Sequence, residues 1–225
     1  MYTLVYLKKP RNSVYLVILL VIIFYVYLFA PTSDPSSLLL IRKMYSVNYH
    51  EVNPLVFSVF NLMGVWPMIY SLVLIFEAEK QTVPVWLFIF LSFFLGGFIL
   101  LIYYSYRIPQ TCYPDKFTRA MKIAEKKRNS VVLGITGLAL VLYGIIYGDY
   151  SDYFYLFNVN SLVHVMSIDF LLVTFLFPVI LRDDMQRRDF YKPTLYALFS
   201  VPLLGPILYL LVRPKQTKNN SSNRV

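Results

Sequence analysis

The sequence predicts an all-α integral membrane protein with six transmembrane helices, arranged as two inverted three-helix units. Its composition and an internal repeat lead to this prediction. The 225 residues are 58% hydrophobic and 15% charged, whereas soluble domains carry about 25% charged residues. A helix that crosses ~30 Å of hydrocarbon needs about 20 residues. Six apolar windows meet or approach that length: 13–30, 54–76, 84–106, 130–148, 161–181 and 194–212.

The first window has the character of a secretory signal, because Lys8, Lys9 and Arg11 precede it. Its apolar run is longer than the usual core of a signal peptide, and residues 31–37 form a poor cleavage site. We therefore expect residues 13–30 to remain in the protein as a helix.

The chain contains two copies of one pattern, in residues 53–107 and 160–213. In each copy a long apolar stretch is followed by a charged break, a restart at a proline, a Leu-Gly hinge and a closing arginine. One further apolar segment precedes each copy. Three spans per unit is an odd number, so the two units would enter the membrane in opposite directions, as in an inverted repeat. The paired features are Asn61 and Asp169, the breaks 77–80 and 182–189, Pro84 and Pro193, the hinges 95–97 and 204–206, and Arg107 and Arg213.

The repeat divides the chain into four parts. They are a first three-helix unit at 1–107, a basic linker at 108–129, a second three-helix unit at 130–213 and a polar tail at 214–225.

Lys and Arg residues set the expected orientation. With six spans, the first, third and fifth loops carry 13 of the 21 cationic residues, and the termini with the other loops carry 8. The positive-inside rule then places the 107–129 loop on the cytoplasmic or stromal side, with both termini opposite. The alternative is five spans with a re-entrant last segment, which Pro202, Gly205 and Pro206 would suit.

The basic linker has helical periodicity of its own. Phe117, Met121 and Ala124 recur at helical spacing after Asp115, which is able to cap a helix. We expect a short basic helix on the membrane surface. It would either link the two units and fix their orientation or dock an anionic lipid or an acidic protein. The cationic residues of this surface are Lys116, Arg119, Lys122, Lys126 and Lys127.

Asp169 is the strongest candidate for an intramembrane polar site. It lies about seven residues, or ~10 Å, inside its helix, where a carboxylate costs about 2.5 to 3.5 kcal/mol. Such a group should face the bundle interior and have a partner. A hydrogen-bonded pair with Asn61 near mid-membrane is the economical hypothesis, and a site for an ion, a proton or a polar ligand is the alternative.

His164 is the third candidate of this polar site. Five residues separate it from Asp169, which places the two side chains on different faces of one helix, so direct pairing is not expected. A hydrogen-bonded histidine near the interface is the simplest interpretation, and axial ligation of a chlorophyll magnesium is the alternative. Neither histidine is part of a cluster with metal-ligand spacing, and Cys112 is the only cysteine. We predict no metal site and no cofactor.

The segment 182–189 predicts two surface ion pairs. Asp183 with Arg187 and Asp184 with Arg188 have i, i+4 spacing on a helix that continues past the membrane edge. A magnesium diphosphate site would need further carboxylates where arginines stand. The chain contains no hydrolase triad, Walker loop, dinucleotide fingerprint or HExxH motif, so we do not expect an enzyme.

Four segments resemble a family of multi-pass membrane proteins from cyanobacteria and photosynthetic plastids. They are Asn61 to Pro67, His164 to Phe170, the pairs Asp183-Asp184 and Arg187-Arg188, and Pro202 to Pro206 followed by Tyr209 and Arg213. The resemblance covers most of residues 50–213. It implies a thylakoid or plasma membrane of a cyanobacterium or a plastid membrane, and it implies no activity.

Two functions fit these observations. The first is a non-catalytic accessory or assembly protein that packs against a larger complex of a photosynthetic membrane. The alternative is a small secondary transporter or carrier with a polar site around Asp169 and Asn61. Expected partners are the lipid bilayer and either a larger membrane complex or a second copy. The net charge of +9 is spread over loops and ends, which indicates topology and anionic lipid, not nucleic acid.

Overall fold

A computed structural model describes residues 12–32, 35–46, 50–112, 114, 116–202 and 204–215. The cationic N-terminal flank, Asp115 and most of the polar tail lie outside these ranges. The described residues form helices and connecting turns, without strands. The helices are α1 Val14–Phe29, α2 Pro35–Met44, α3 Pro54–Leu74, α4 Val85–Tyr106, α5 Arg119–Ala124, α6 Lys127–Tyr147, α7 Tyr150–Val159, α8 Ser161–Arg187, α9 Pro193–Phe199 and α10 Leu204–Val212, and the 3-10 turn Ile75–Lys80 extends α3.

The helical segments are those of a multi-pass membrane protein. Four of them are long and apolar enough to cross a bilayer: Pro54–Lys80, Val85–Tyr106, Lys127–Tyr147 and Ser161–Arg187. Helix α1 is equally apolar but has 16 residues, which at 1.5 Å per residue gives a length of about 24 Å. The membrane prediction is confirmed at this level.

Helix α4 is folded back on itself. Gly96 has φ 48° and ψ −129° and separates two half-helices. Gln81, before α4, donates to the carbonyl of Ile108 at 2.6 Å, and the N–H of Ile108 donates to the Gln81 side chain at 2.8 Å. The rings of Phe88 and Tyr103 are 5.4 Å apart. A straight helix of 22 residues would hold its ends about 33 Å apart, so α4 is a helical hairpin.

The last predicted window, 194–212, also forms a hairpin. It is split into α9 and α10 near Pro202, which cannot donate a backbone hydrogen bond. Arg188, which precedes α9, donates to the carbonyl of Pro214, which follows α10, at 2.8 Å. The hairpin therefore begins and ends at one end of the bundle. The expectation of a sixth continuous helix is wrong, and this geometry matches the re-entrant alternative.

The two units point in the same direction. In each unit the first helix (α1 or α6) begins at the end of the bundle where both hairpins begin and end. A surface helix (α2 or α7) follows at the opposite end of the bundle. A long helix (α3 or α8) then runs back to the starting end. We call the end that carries the hairpin ends the charged end and the opposite one the far end. Inverted units are not confirmed, because the corresponding helices of the two units, α1 with α6 and α3 with α8, run in the same directions, and the third apolar segment of each unit turns back.

The far end links the units reciprocally. Asn53 caps α3 and donates to Asp149 at 2.7 Å and to Asp152 at 2.9 Å, at the start of α7. Asn160 caps α8 and donates to Ser36 at 3.0 Å, at the start of α2. Each long helix is thus capped by an asparagine that also binds the surface helix of the other unit. This exchange is what a pseudo-two-fold axis along the bundle produces.

The centre of the bundle is the contact between α3 and α8. Tyr70 is fully buried there and donates to the carbonyl of Val173 at 2.6 Å. The rings of Trp66 and Tyr70 lie 5.8 Å and 5.6 Å from that of Phe177. Between helices in a bilayer such rings stabilise the contact by van der Waals packing and not by leaving water, and the tyrosine hydroxyl is satisfied by backbone. This contact places the C-terminal ends of both long helices side by side at the charged end.

Candidate functional site

Eight charged side chains are buried together at the charged end. Four acids come from the 3-10 turn, from the C-cap of α5 and from α8. Four arginines come from the residues after α4 and α10 and from the C-terminal end of α8. Their side chains are between 0% and 13% exposed, and their formal charges cancel. We call this set the ion cluster: Glu77, Arg107, Glu125, Asp183, Asp184, Arg187, Arg188 and Arg213.

The ion cluster contains one Tyr-acid-Arg group from each unit. In the first, Glu77 accepts hydrogen bonds from Tyr103 at 3.4 Å and from Arg107 Nε at 2.7 Å. In the second, Asp184 accepts a hydrogen bond from Tyr209 and lies 3.7 Å from Arg213. Each hairpin is therefore fixed by its second half-helix to the end of the long helix that precedes it.

Two arginines join these groups across the units. Arg187 of the second unit lies 3.1 Å from Glu77 of the first and 3.1 Å from Asp184 of its own. Arg107 of the first unit lies 2.5 Å from Asp183 of the second. Removing one member of such a buried network leaves another charge without a partner. The ion cluster thus holds the two units in one register.

The predicted ion pairs of segment 182–189 are formed in part and are not on the surface. Asp184 pairs with Arg188 at 2.9 Å as expected. Asp183 pairs with Arg107, and Arg187 pairs with Asp184 at i, i+3 spacing. The reason is that the 3-10 turn, α5 and the hairpin ends cover the last turn of α8. Helical spacing predicts neighbours within one helix and says nothing about what packs over it.

The two repeat-related arginines have different electrostatic surroundings. Burial alone lowers the pKa of Arg107, but the hydrogen bond and charge of Glu77 outweigh it, so this pKa is raised above its usual value. Burial and the neighbouring charge of Arg188 lower the pKa of Arg213. Arg107 therefore has the stronger anionic environment of the two.

Asp169 lies at the tip of the α4 hairpin. Its carboxylate accepts the backbone N–H of Gly97 at 2.6 Å and that of Phe98. These N–H groups open the second half-helix of α4, where the helix dipole favours a negative charge. A Cβ on Gly96 would lie 1.6 Å from the Asp169 carboxylate. Asp169 thus caps a half-helix of the other unit inside the bundle.

Asn61 does not share this role. Its side-chain amide donates to the carbonyl of Phe57 at 2.8 Å, within its own helix. The structure therefore gives Asn61 and Asp169 separate partners instead of the predicted hydrogen bond between them. The hairpin α4 supplies the N–H groups that Asp169 needs, and a second side chain is not required.

His164 is buried near the far end, at 3% exposure. Its Nδ1 lies 3.0 Å from the carbonyl of Phe157, and its ring stacks on Phe157 at 4.3 Å and on Tyr25 at 5.8 Å. Its Nε2 has no hydrogen-bond partner among the described residues. No group of three or more His, Cys, Asp or Glu side chains in the described ranges is arranged to hold a metal ion.

The basic linker forms a short helix, α5, as expected. Thr118 caps it by accepting the N–H of Met121 at 3.3 Å. Met121 and Ala124 are buried, whereas the five cationic side chains predicted for this surface are exposed. They are Lys116, Arg119, Lys122, Lys126 and Lys127.

Three cavities of the described part are lined by residues other than Asp169. A small apolar cavity is enclosed by α3, α6 and α10, with Trp66 and Ile207 in its wall. Two open clefts lie at the charged end, one beside Arg107 and one among lysines.

Sequence reasoning noted Arg107 and Arg213 as the ends of the repeat but missed their pairing with Glu77 and Asp184, respectively. A Tyr-x3-Arg pattern ends both copies, as Tyr103 with Arg107 and Tyr209 with Arg213. An acidic residue in the preceding break completes each group. The signal was present in the repeat itself. No protein-family model, curated protein or solved structure matches the chain.

Proposed function

We propose that the protein is a non-catalytic integral membrane protein that packs against a larger complex of a photosynthetic membrane, as an accessory or assembly subunit. One observation carries this proposal: the charged groups inside the bundle are engaged in holding its own parts together. Asp169 caps the α4 hairpin, and the ion cluster binds both hairpins to the long helices. Catalysis or transport would need such groups to be free for a substrate.

The membrane setting rests on the family resemblance of residues 50–213. The resemblance is to proteins of cyanobacteria and photosynthetic plastids, and it supports a thylakoid, plasma or plastid membrane. A small protein with short loops is suited to contact other membrane proteins through its helices.

The same proposal includes a topology. Helices α1, α3, α6 and α8 cross the bilayer, and α4 and α9–α10 re-enter from the charged end. In this arrangement 14 of the 16 Lys and Arg residues in the described ranges belong to segments at the charged end, and Arg42 with Lys43 belong to the far end. The positive-inside rule then puts the charged end, with both termini, on the cytoplasmic or stromal side. The orientation with the termini opposite to the basic linker is replaced by this one.

Native electrophoresis tests the accessory function. Membranes that contain tagged protein are solubilised in mild detergent, separated, and analysed by mass spectrometry. The expected result is co-migration with one large complex at constant stoichiometry. The control is an equally tagged multi-pass protein of similar size from the same membrane. Migration of the protein only as a monomer or dimer would contradict the proposal.

A small carrier is the second candidate, favoured by the α4 hairpin tip. A half-helix N-terminus at membrane depth is the usual ligand-binding element of transporters with discontinuous helices. A transported cation or proton would bind the Asp169 carboxylate in competition with the N–H groups of Gly97 and Phe98. The test is ion-dependent thermal protection of purified protein, which Asp169→Asn would abolish in a carrier. An accessory protein would show no such protection, and Asp169→Asn would still join its complex.

A further inference from the structure

The charged end carries an open cleft among lysines that the proposed function does not use. It is bounded by α5, by the start of α6 and by the chain that follows α10. We propose that this cleft binds the anionic headgroup, a phosphate or sulfonate, of a membrane lipid. Its lining residues are Phe117, Lys122, Glu125, Lys126, Lys127 and Lys215.

The charge of the cleft is strongly positive. Its four lysines are exposed, and none has an ion-pair partner among the described residues. The carboxylate in its wall, Glu125, lies 2.7 Å from Arg188 of the ion cluster. Four ammonium groups around one depression repel each other, and an anion among them would lower that repulsion while accepting charge-assisted hydrogen bonds.

The start of α6 adds to this field. Lys126 is the N-cap of α6 and makes no side-chain capping bond, and the first turn contains no acidic residue. The free N–H groups of a 21-residue helix therefore face this region with the positive end of the helix dipole. This effect alone would not define a site, but it has the same sign as the four lysines.

The position of the cleft favours a lipid over a free anion. Along α6 the first large exposed apolar side chains are Val132, at 55% exposure, and Ile135, at 62%. They lie one to two turns from Lys127, on the helix that leads away from the cleft. Ile123 of α5 is also 55% exposed. A headgroup in the cleft would thus leave its acyl chains along an apolar helix surface, in the arrangement of a bound phospholipid.

The test compares two sets of four substitutions. One replaces Lys122, Lys126, Lys127 and Lys215 by Gln. The matched control replaces Lys80, Lys116, Arg182 and Lys192 by Gln, which removes the same charge from exposed positions outside the cleft. Each protein is placed in nanodiscs of phosphatidylcholine, alone or mixed with phosphatidylglycerol. Lipids retained after release are counted by native mass spectrometry, and the melting temperature is recorded.

We expect the wild type and the control to retain phosphatidylglycerol and to melt at a higher temperature when it is present. The cleft variant should bind it about a hundredfold more weakly or worse, since each lysine near an anionic surface contributes a factor of about five. If the cleft variant retained as much phosphatidylglycerol as the wild type, the proposal would be overturned. An equal loss in the control would also overturn it, because lipid binding would then depend on the total positive charge and not on the cleft. Protection by inorganic phosphate or by an acidic peptide in phosphatidylcholine alone would overturn the lipid assignment.

Discussion

Gln81, which precedes the 22-residue helix α4, and Ile108, which follows it, form two hydrogen bonds with each other, at 2.6 Å and 2.8 Å. This contact makes α4 a hairpin, with both of its ends at the charged end of the bundle. If both residues are changed to cysteine in a Cys112→Ser background, we expect a disulfide between positions 81 and 108. Peptide mass spectrometry after mild oxidation would detect it. Cysteines at Gln81 and Leu95, at opposite ends of one half-helix, serve as the control and should stay reduced.

Gly96 is predicted to be intolerant of any side chain. Gly96→Ala would place a Cβ 1.6 Å from the Asp169 carboxylate, at a residue with φ +48°. Backbone strain of about 1 to 3 kcal/mol would add to the loss of the Asp169 cap, about 1 to 3 kcal/mol. Chemical denaturation in detergent would measure the sum.

Gly64→Ala is the matched control for this substitution. Nothing lies within 4 Å of the Cβ it would add in α3, and replacing a helical glycine by alanine stabilises by about 0.5 to 1 kcal/mol. Equal effects of the two substitutions would contradict the hairpin geometry.

Asp169 should respond differently to its two simplest replacements. Asp169→Asn keeps an oxygen acceptor for the N–H groups of Gly97 and Phe98, so we expect a modest loss of stability. Asp169→Ala leaves both donors buried without a partner, at a cost of about 1 to 3 kcal/mol for each unsatisfied group. Thermal unfolding of both variants in one detergent would show the difference. A larger loss for Asn than for Ala would be inconsistent with a capping role.

Arg107 should be among the most sensitive residues of the charged end. Arg107→Gln leaves Glu77 and Asp183 with one cation fewer, and breaking a buried pair from one side costs about 3 to 5 kcal/mol. Lys43→Gln removes an exposed pair with Glu51, whose side chains are 39% and 48% exposed. Such a pair contributes less than about 1 kcal/mol. Comparable losses in denaturant midpoint would argue against a buried network.

Both ends of the described chain should be accessible from the same side of the membrane. Cys112 is exposed at the charged end, and a cysteine in place of Arg42 would lie at the far end. We expect a membrane-impermeant maleimide to label Cys112 from the cytoplasmic or stromal side, together with tags on both termini. Arg42→Cys, in a Cys112→Ser background, should be labelled only from the opposite side. Labelling of Cys112 and a terminal tag from different sides would contradict the parallel arrangement.

The sequence was sufficient to predict a helical, multi-pass membrane protein and the burial of Asp169. It was not sufficient to predict the hairpins. The window 84–106 has the length and composition of a span, and its fold-back depends on the carboxylate of Asp169, which is 72 residues from Gly97 in the chain. No local pattern contains that contact. The window 194–212 carried a local signal, Pro202, and there the re-entrant alternative was recognised.

The ion cluster shows the same limit. Spacing within segment 182–189 predicted pairs along one helix, and Asp184 with Arg188 follows that rule. Asp183 instead pairs with Arg107, because the second half of α4 returns to the charged end. Which side chains of different helices meet depends on the topology of the fold. Because the predicted course of α4 was wrong, the predicted partners of the charged residues of α8 were wrong in part.

A hairpin in place of a third span also determines how the two units of the chain are oriented relative to each other. In the proposed topology each unit crosses the bilayer twice, so the two ends of a unit lie on the same side and a second unit that follows it has the same orientation. Two copies of such a unit would pack side by side about a two-fold axis normal to the bilayer, as an isologous pair. Joining them end to end by a linker such as 108–129 would then demand no reversal of insertion.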